Sequence, residues 1–187
     1  MLTPKNEKLL QIHGEAEWIY FNEPDNKYGD PGEFKVTLKV SRAKSGELIR
    51  DINEVICGEL KAQNHDIDAS ADRKKFYLDK AKKPYTVRGD EVHFKAHSQF
   101  KPVLWDKNQK KLDEKINVWK GSTMWANCKA SGYTKSIGTG ATLLLGSVQI
   151  DKLVEGTGDG SDSCPFPSRA NMSTESALPA REEKAAY

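Results

Sequence analysis

The chain has 187 residues, of which 37% are hydrophobic and 30% charged, and its formal net charge is +2. This balance suits a soluble globular protein with one domain and a tail, and no apolar run approaches the length of a membrane span. Cys57, Cys128 and Cys164 are far apart and odd in number, so neither a zinc pair nor a disulfide framework fits, and no metal or cofactor is expected.

The first residues, MLTPKNEKLLQIHG, contain no signal-peptide core, so a cytoplasmic location is expected. Residues 1–13 read as a leader with one short apolar cluster. A strand is expected from Glu15 to Asn22, with Ala16, Trp18 and Tyr20 on one side and Glu17, Ile19 and Phe21 on the other. Trp18 and Tyr20 read better as core than as surface. Residues 23–32, EPDNKYGDPG, are dense in turn formers and form a loop. Glu33 to Ser41 alternates strictly, with Phe34, Val36, Leu38 and Val40 toward a core and Lys35, Thr37 and Lys39 outward.

A helix of about five turns follows, from Ser45 to Asn64. Leu48, Ile52, Val55, Ile56 and Leu60 form its apolar stripe, and Ser45 can cap it. Residues 65–83 are polar and lysine-rich, with room for a short second helix. From Asp90 the alternation returns: Val92, Phe94, Ala96 and Phe100 face a core, while His93, Lys95, His97, Gln99 and Lys101 face out. A hairpin is expected over VLWD, KNQKK and LDEKINV, with Trp105 and Trp119 packing at strand ends. In the strand Ser122 to Tyr133, Met124, Ala126, Cys128 and Ala130 suit a core, and Trp125, Asn127, Lys129, Ser131 and Tyr133 face out. The last strand runs from Ala141 to Val154.

After Glu155 the composition shifts to Gly, Ser, Pro and Asp, so residues 156–187 read as a flexible tail. Five acids against three bases give that tail a charge of −2 and leave +4 on residues 1–155. A basic body suits a polyanion partner. The expected fold is mainly β: an OB-fold-like closed β-barrel over residues 14–155, elaborated by one helix.

The expected outward faces mix cations, small hydrogen-bonding residues and aromatics. Lys35 and Lys39 share one strand; His93, Lys95 and Lys101 share another; Trp125, Lys129 and Tyr133 share a third. This mixture suits an extended single strand of nucleic acid, because cations follow phosphates while rings stack on exposed bases. On pattern alone, Trp125 and Tyr133 could equally cover a second small core.

Three stretches resemble the single-stranded DNA-binding proteins of tailed bacteriophages, the type encoded by podophages. The first runs W-I-Y-F-N-E-P-D and then Y-G-D-P-G-E-F-K-V, carrying Trp18, Tyr20, Pro24, Asp25, Gly29, Pro31 and Phe34 to Val36. The second is L-W-D-K-N-Q-K-K-L-D-E-K-I-N-V, running into Gly121-Ser122, and the third is G-Y-T-K-S-I-G-T-G-A-T-L-L-L. Their order covers most of residues 14–155. The resemblance implies an OB-fold, sequence-independent binding of single-stranded DNA, and service in phage replication, recombination and repair in the cytoplasm of an infected bacterium. It implies that Tyr133 lies in the DNA-binding surface, with Tyr20, Lys35, Lys39, His93, Lys95, Lys101, Trp125 and Lys129 as the further candidates. It also implies phage DNA polymerase and helicase as partners of the tail. That tail is strongly acidic in the family but only weakly so here, with Tyr187 keeping the terminal aromatic. A monomer and a homodimer are both compatible with the chain.

Two alternatives remain. Asp25, Glu33 and Lys35 have the form of a Pro-Asp…Glu-x-Lys nuclease signature, in which two carboxylates would hold magnesium. Alternatively, the chain is a replisome interaction module that does not bind DNA. The serines and histidines form no nucleophile arrangement.

Overall fold

The computed structural model describes residues 6–27, 31–113, 115–136 and 138–154. The tail from residue 156, with Cys164 and Tyr187, lies outside the described residues.

Among the described residues seven strands and two helices follow one another as β1 (Glu7–Asp25), β2 (Glu33–Ser41), α1 (Arg42–Ala62), α2 (Ala71–Lys80), β3 (Tyr85–Arg88), β4 (Glu91–Ser98), β5 (Val103–Asp106), β6 (Thr123–Lys135) and β7 (Gly138–Lys152). The sheet order is β3-β4-β2-β1-β6-β7-β5, and a parallel pairing of Ala96 and His97 with Leu143 and Leu144 joins β4 to β7. That pairing closes β1, β2, β4, β7 and β6 into a five-stranded barrel of OB-fold type, which leaves none of these five strands with an open edge at the closure.

The barrel forms because its strands alternate. Met124, Ala126, Cys128 and Ala130 of β6 are buried, as are Val36, Leu38 and Val40 of β2 and Val92, Phe94 and Ala96 of β4. From α1, Ile52, Val55, Ile56 and Leu60 join the same core. At Gly14 a side chain would stand 2.5 Å from the Lys39 carbonyl oxygen, so only glycine lets β1 cross this closely. Gly89, at φ 58, makes the tight turn from β3 to β4.

Several expectations are corrected. Strand β1 begins at Glu7, not Glu15, so residues 7–13 are not a leader; they pair with β6 and bury Leu10 and Ile12. The register of β1 against β2 shifts between Ala16 and Trp18. Such a bulge inserts one residue and exchanges inside for outside. Ala16 and Phe21 are therefore both buried, while Trp18 is 61% and Tyr20 37% exposed. The core reading of Trp18 and Tyr20 fails for that reason. Helix α1 starts after Ser41, and Ser45 is buried in its first turn with its hydroxyl donating to the Arg42 carbonyl. The fold has a second helix, α2, whose first turn is capped by Ser70 accepting from the Arg73 amide. Strand β4 ends at Ser98, which leaves Phe100 81% exposed and puts Lys101 in a loop. The VLWD segment forms β5, but its ladder partner is β7, and the described residues of LDEKINV form no strand; among the described residues a single bridge from Trp105 to Lys111 remains of the hairpin.

Candidate nucleic-acid interface

The outer face of the barrel carries two neighbouring stretches. The first spans the second half of β1 with β2 and β4. There the ladders align Glu15, Lys39 and His93 in one row; Trp18, Thr37 and Lys95 in the next; and Tyr20, Lys35 and His97 in the third. A shallow cleft of about 300 Å³ on this stretch is lined by Trp18, Tyr20, Lys35, Arg88 and Lys95 among others. The Lys35 ammonium lies 5.2 Å from the centre of the Tyr20 ring.

The candidates on this stretch are not equally available. His93 is 5% exposed, and its ring donates to Glu17 at 2.8 Å. It braces the sheet beneath the surface and does not present itself to a ligand. Burial pushes the Glu17 carboxyl upward, but the His93 hydrogen bond together with the charges of His93, Arg88 and Lys120 outweighs it and holds Glu17 below the usual carboxylate range. Lys39 pairs with Glu15 at 2.7 Å, which raises the Lys39 ammonium above its usual range. Lys35 pairs with Asp25, and together with the Lys27 amide it holds Asp25 below the usual range. Lys95 is exposed and forms no ion pair among the described residues.

These shifts set an acid sensitivity. A carboxyl held low in the folded state stabilises the fold above its unfolded pKa, and that contribution is lost as pH falls through the folded value. Thermal unfolding should therefore move to lower temperature as pH falls below the ordinary carboxylate range. Glu17→Gln should reduce the neutral-pH midpoint and flatten the acid limb of the profile. A profile identical to that of the parent chain would contradict the role given to Glu17.

The second stretch spans the first half of β1 with β6, β7 and β5. Its rows are His13, Trp125, Gln149 and Trp105; then Gln11, Asn127 and Ser147; then Leu9, Lys129 and Leu144. Trp125 is 41% exposed and stacks on His13 at 4.6 Å, and His13 Nε2 donates to Asp151 at 2.8 Å. A cleft of about 510 Å³ lies over Gln149, lined by Trp105 and Trp125 with Gln11, Gln109 and Asn127. Lys129 pairs with Glu7 at 3.2 Å. Tyr133 is half-buried farther along β6, opposite Gly140, with the Lys135 ammonium 5.5 Å from its ring centre.

Barrel closure brings the two stretches side by side. His97 pairs with Lys35 on β2 and with Leu144 on β7, and Leu144 pairs with Lys129. One row thus runs round the barrel through Tyr20, Lys35, His97, Leu144, Lys129 and Leu9. Lys101 stands apart from this row, beside Lys110, Lys111 and Lys115.

Sequence reasoning missed Trp105 and Trp18 as surface aromatics. Trp105 could not be placed because its neighbour Gln149 comes from a parallel ladder to a distant strand, which alternation does not reveal. Trp18 could not because the bulge that turns it outward leaves no mark in a period-2 pattern.

Asp25 and Glu33 do face each other across β1 and β2. Their carboxylates, however, turn to different partners: Asp25 to Lys35, and Glu33 to His97 at 3.3 Å. Among the described residues no three His, Cys, Asp or Glu side chains gather as metal ligands would. No helix among them is long and apolar enough to cross a membrane.

No protein-family model and no curated protein matches the sequence. Solved structures do match. The single-stranded DNA-binding protein gp2.5 of bacteriophage T7 superposes with a TM-score of 0.59 at 19% identity, over 86% of this chain and 98% of that one. The single-stranded DNA-binding protein of bacteriophage Enc34, solved in complex with single-stranded DNA, gives 0.58 at 14% identity, over 80% and 89%. Another structure of the Enc34 protein gives 0.56 at 16% identity, over 82% and 88%. At these identities the likeness shows a shared fold: the barrel is built as these phage proteins are.

Proposed function

We propose that this barrel binds single-stranded DNA without enzymatic turnover and serves phage DNA replication, recombination and repair in the cytoplasm of an infected bacterium. The observation that carries the reading is the outer face of a closed barrel on which the exposed aromatics Trp18, Tyr20 and Trp125 stand among cations. The names of its structural neighbours support it. The strand would lie across that face. Lys35, Lys39, Lys95 and Lys129 would meet phosphates, the first, second and fourth by exchanging a carboxylate partner for a phosphate. Tyr20, Trp125 and Tyr133 would stack on bases, joined by Trp18 and Trp105. Lys101 would act as an outlying phosphate contact. Polymerase and helicase are the partners proposed for the tail, through Tyr187.

Lys95 gives the cleanest test, because no carboxylate among the described residues pairs with it. Each phosphate neutralised on a single strand contributes about 0.7 to the slope of log affinity against log salt. Lys95→Ala should lower that slope by about this amount and weaken binding to all sequences alike. An unchanged slope would remove Lys95 from the path of the DNA.

A further inference from the structure

The cleft over Gln149 differs in chemistry from the rest of the outer face. Among the described residues that line it, none is charged. A phosphate would gain no ion pair there. Its walls are two indoles, and its remaining groups are the Ser147 hydroxyl and four carboxamides, which offer donors and acceptors in a plane. Trp125 and Trp105 flank Gln149 on either side, on strands β6 and β5. With neighbouring strands roughly 4.8 Å apart, the two indoles are rooted about 10 Å from each other. That leaves a slot for a planar ring between them.

The slot is built before any ligand arrives. One face of Trp125 is taken by His13, which Asp151 holds in turn. The Gln149 amide donates to the Asp106 carbonyl at 3.1 Å and reaches the Lys107 carbonyl at 3.5 Å. With its donors so engaged, Gln149 offers an incoming group its carbonyl oxygen. The Asp106 carboxylate accepts from the Asn108 and Lys110 amides, each at 2.8 Å, and this fixes the turn that carries Gln109. Fixed polar groups around a stacking platform are what reading a base edge requires; stacking alone tolerates any base.

We infer that this cleft takes one nucleobase of the bound strand and reads its hydrogen-bonding edge, so that the protein prefers some bases to others. The inference rests on the single-strand reading above and adds to it a base-selective subsite. The groups that select are Gln149, Asn127 and Gln11; Trp105 and Trp125 hold the ring.

The test is the affinity of the full chain for labelled homopolymers of deoxythymidylate, deoxycytidylate and deoxyadenylate, by fluorescence anisotropy at fixed salt. A well-made amide contact to a base separates right from wrong by about 10-fold or more. The parent chain should show that spread between its best and worst homopolymer. Asn127→Leu and Gln149→Met keep the volume and remove the polar edge, and each should shrink the spread to about threefold with the salt slope unchanged. Asn127 is exposed, so its variant keeps the test open should Gln149→Met disturb the turn. Equal affinities in the parent chain, or a spread that survives in the Asn127 variant, would overturn the subsite and leave single-strand binding standing. Failure of every homopolymer to bind would overturn the function itself.

Discussion

Replacing Trp125 with alanine should weaken binding to oligo-deoxythymidylate by roughly 5- to 150-fold while the protein stays folded. One base stacked on an aromatic ring contributes about 1–3 kcal/mol, which converts to that range of affinity. Trp125 suits this test because it combines three properties. It stands 41% exposed on the outer face, so its removal opens no cavity in the core. Its ring is already stacked on His13, so little rotational freedom remains to be lost when a base arrives. It also shares a row with Trp105 and stands on the same face of β6 as Lys129, with the Asn127 row between them. The thermal midpoint of the variant should stay within a few degrees of the parent. Unchanged affinity in a folded Trp125→Ala protein would show that the strand takes another path.

The second large effect is on stability. Phe94 is 1% exposed, packs at 5.8 Å from the Tyr85 ring, and belongs to β4, the strand that closes the barrel between β2 and β7. Truncating a fully buried phenylalanine costs about 3–5 kcal/mol, from lost transfer free energy and the cavity left behind. For a domain of this size each kcal/mol moves the midpoint by about 2–4 °C, so Phe94→Ala should lower it by roughly 6–20 °C. DNA binding should weaken in parallel near that lowered midpoint, since the row of contact residues crosses the β4–β7 closure through His97. A shift of only a degree or two would mean that Phe94 is not a packing centre of the barrel.

How far the sequence alone could reach depended on whether one strand met another in regular register. Strands β2 and β6 were legible because Val36, Leu38 and Val40, and then Met124 to Ala130, alternate without interruption. The apolar stripe of α1 was legible for the same reason. Strand β1 was not, because Leu9 and Leu10 are adjacent and blur the alternation that Leu10 and Ile12 would otherwise show. Its bulge beyond Ala16 then reversed the side on which Trp18 and Tyr20 stand. His93 sits at an outward position by pattern but is covered through its bond to Glu17, a partner on another strand and 76 residues away. Alternation assigns a face; it does not say which polar side chains will turn to each other across it. The candidate surface was therefore legible as a set of residue types. Its continuity, from Tyr20 round to Leu9, depended on a two-residue parallel pairing of β4 with β7 that leaves no trace in composition or spacing.

The paired lysines also change how the surface works. Lys35, Lys39 and Lys129 each hold a carboxylate, so binding a phosphate there is an exchange of partners and not a simple gain of charge. These pairs are partly buried, so the exchange gives up more than a fully exposed pair would. On the proposed reading, the stacking rings would decide between an open strand, whose bases are free, and a duplex, whose bases are not.

The most direct measurement compares the affinity of the full chain for a single-stranded oligonucleotide and for the duplex of the same sequence across a range of salt concentrations. Stacking on Trp125 and its neighbours together with cationic contacts predicts tighter binding to the single strand at every salt concentration, with affinity falling linearly on a double-logarithmic plot. Equal binding to strand and duplex, or an affinity for the strand that ignores salt, would contradict it.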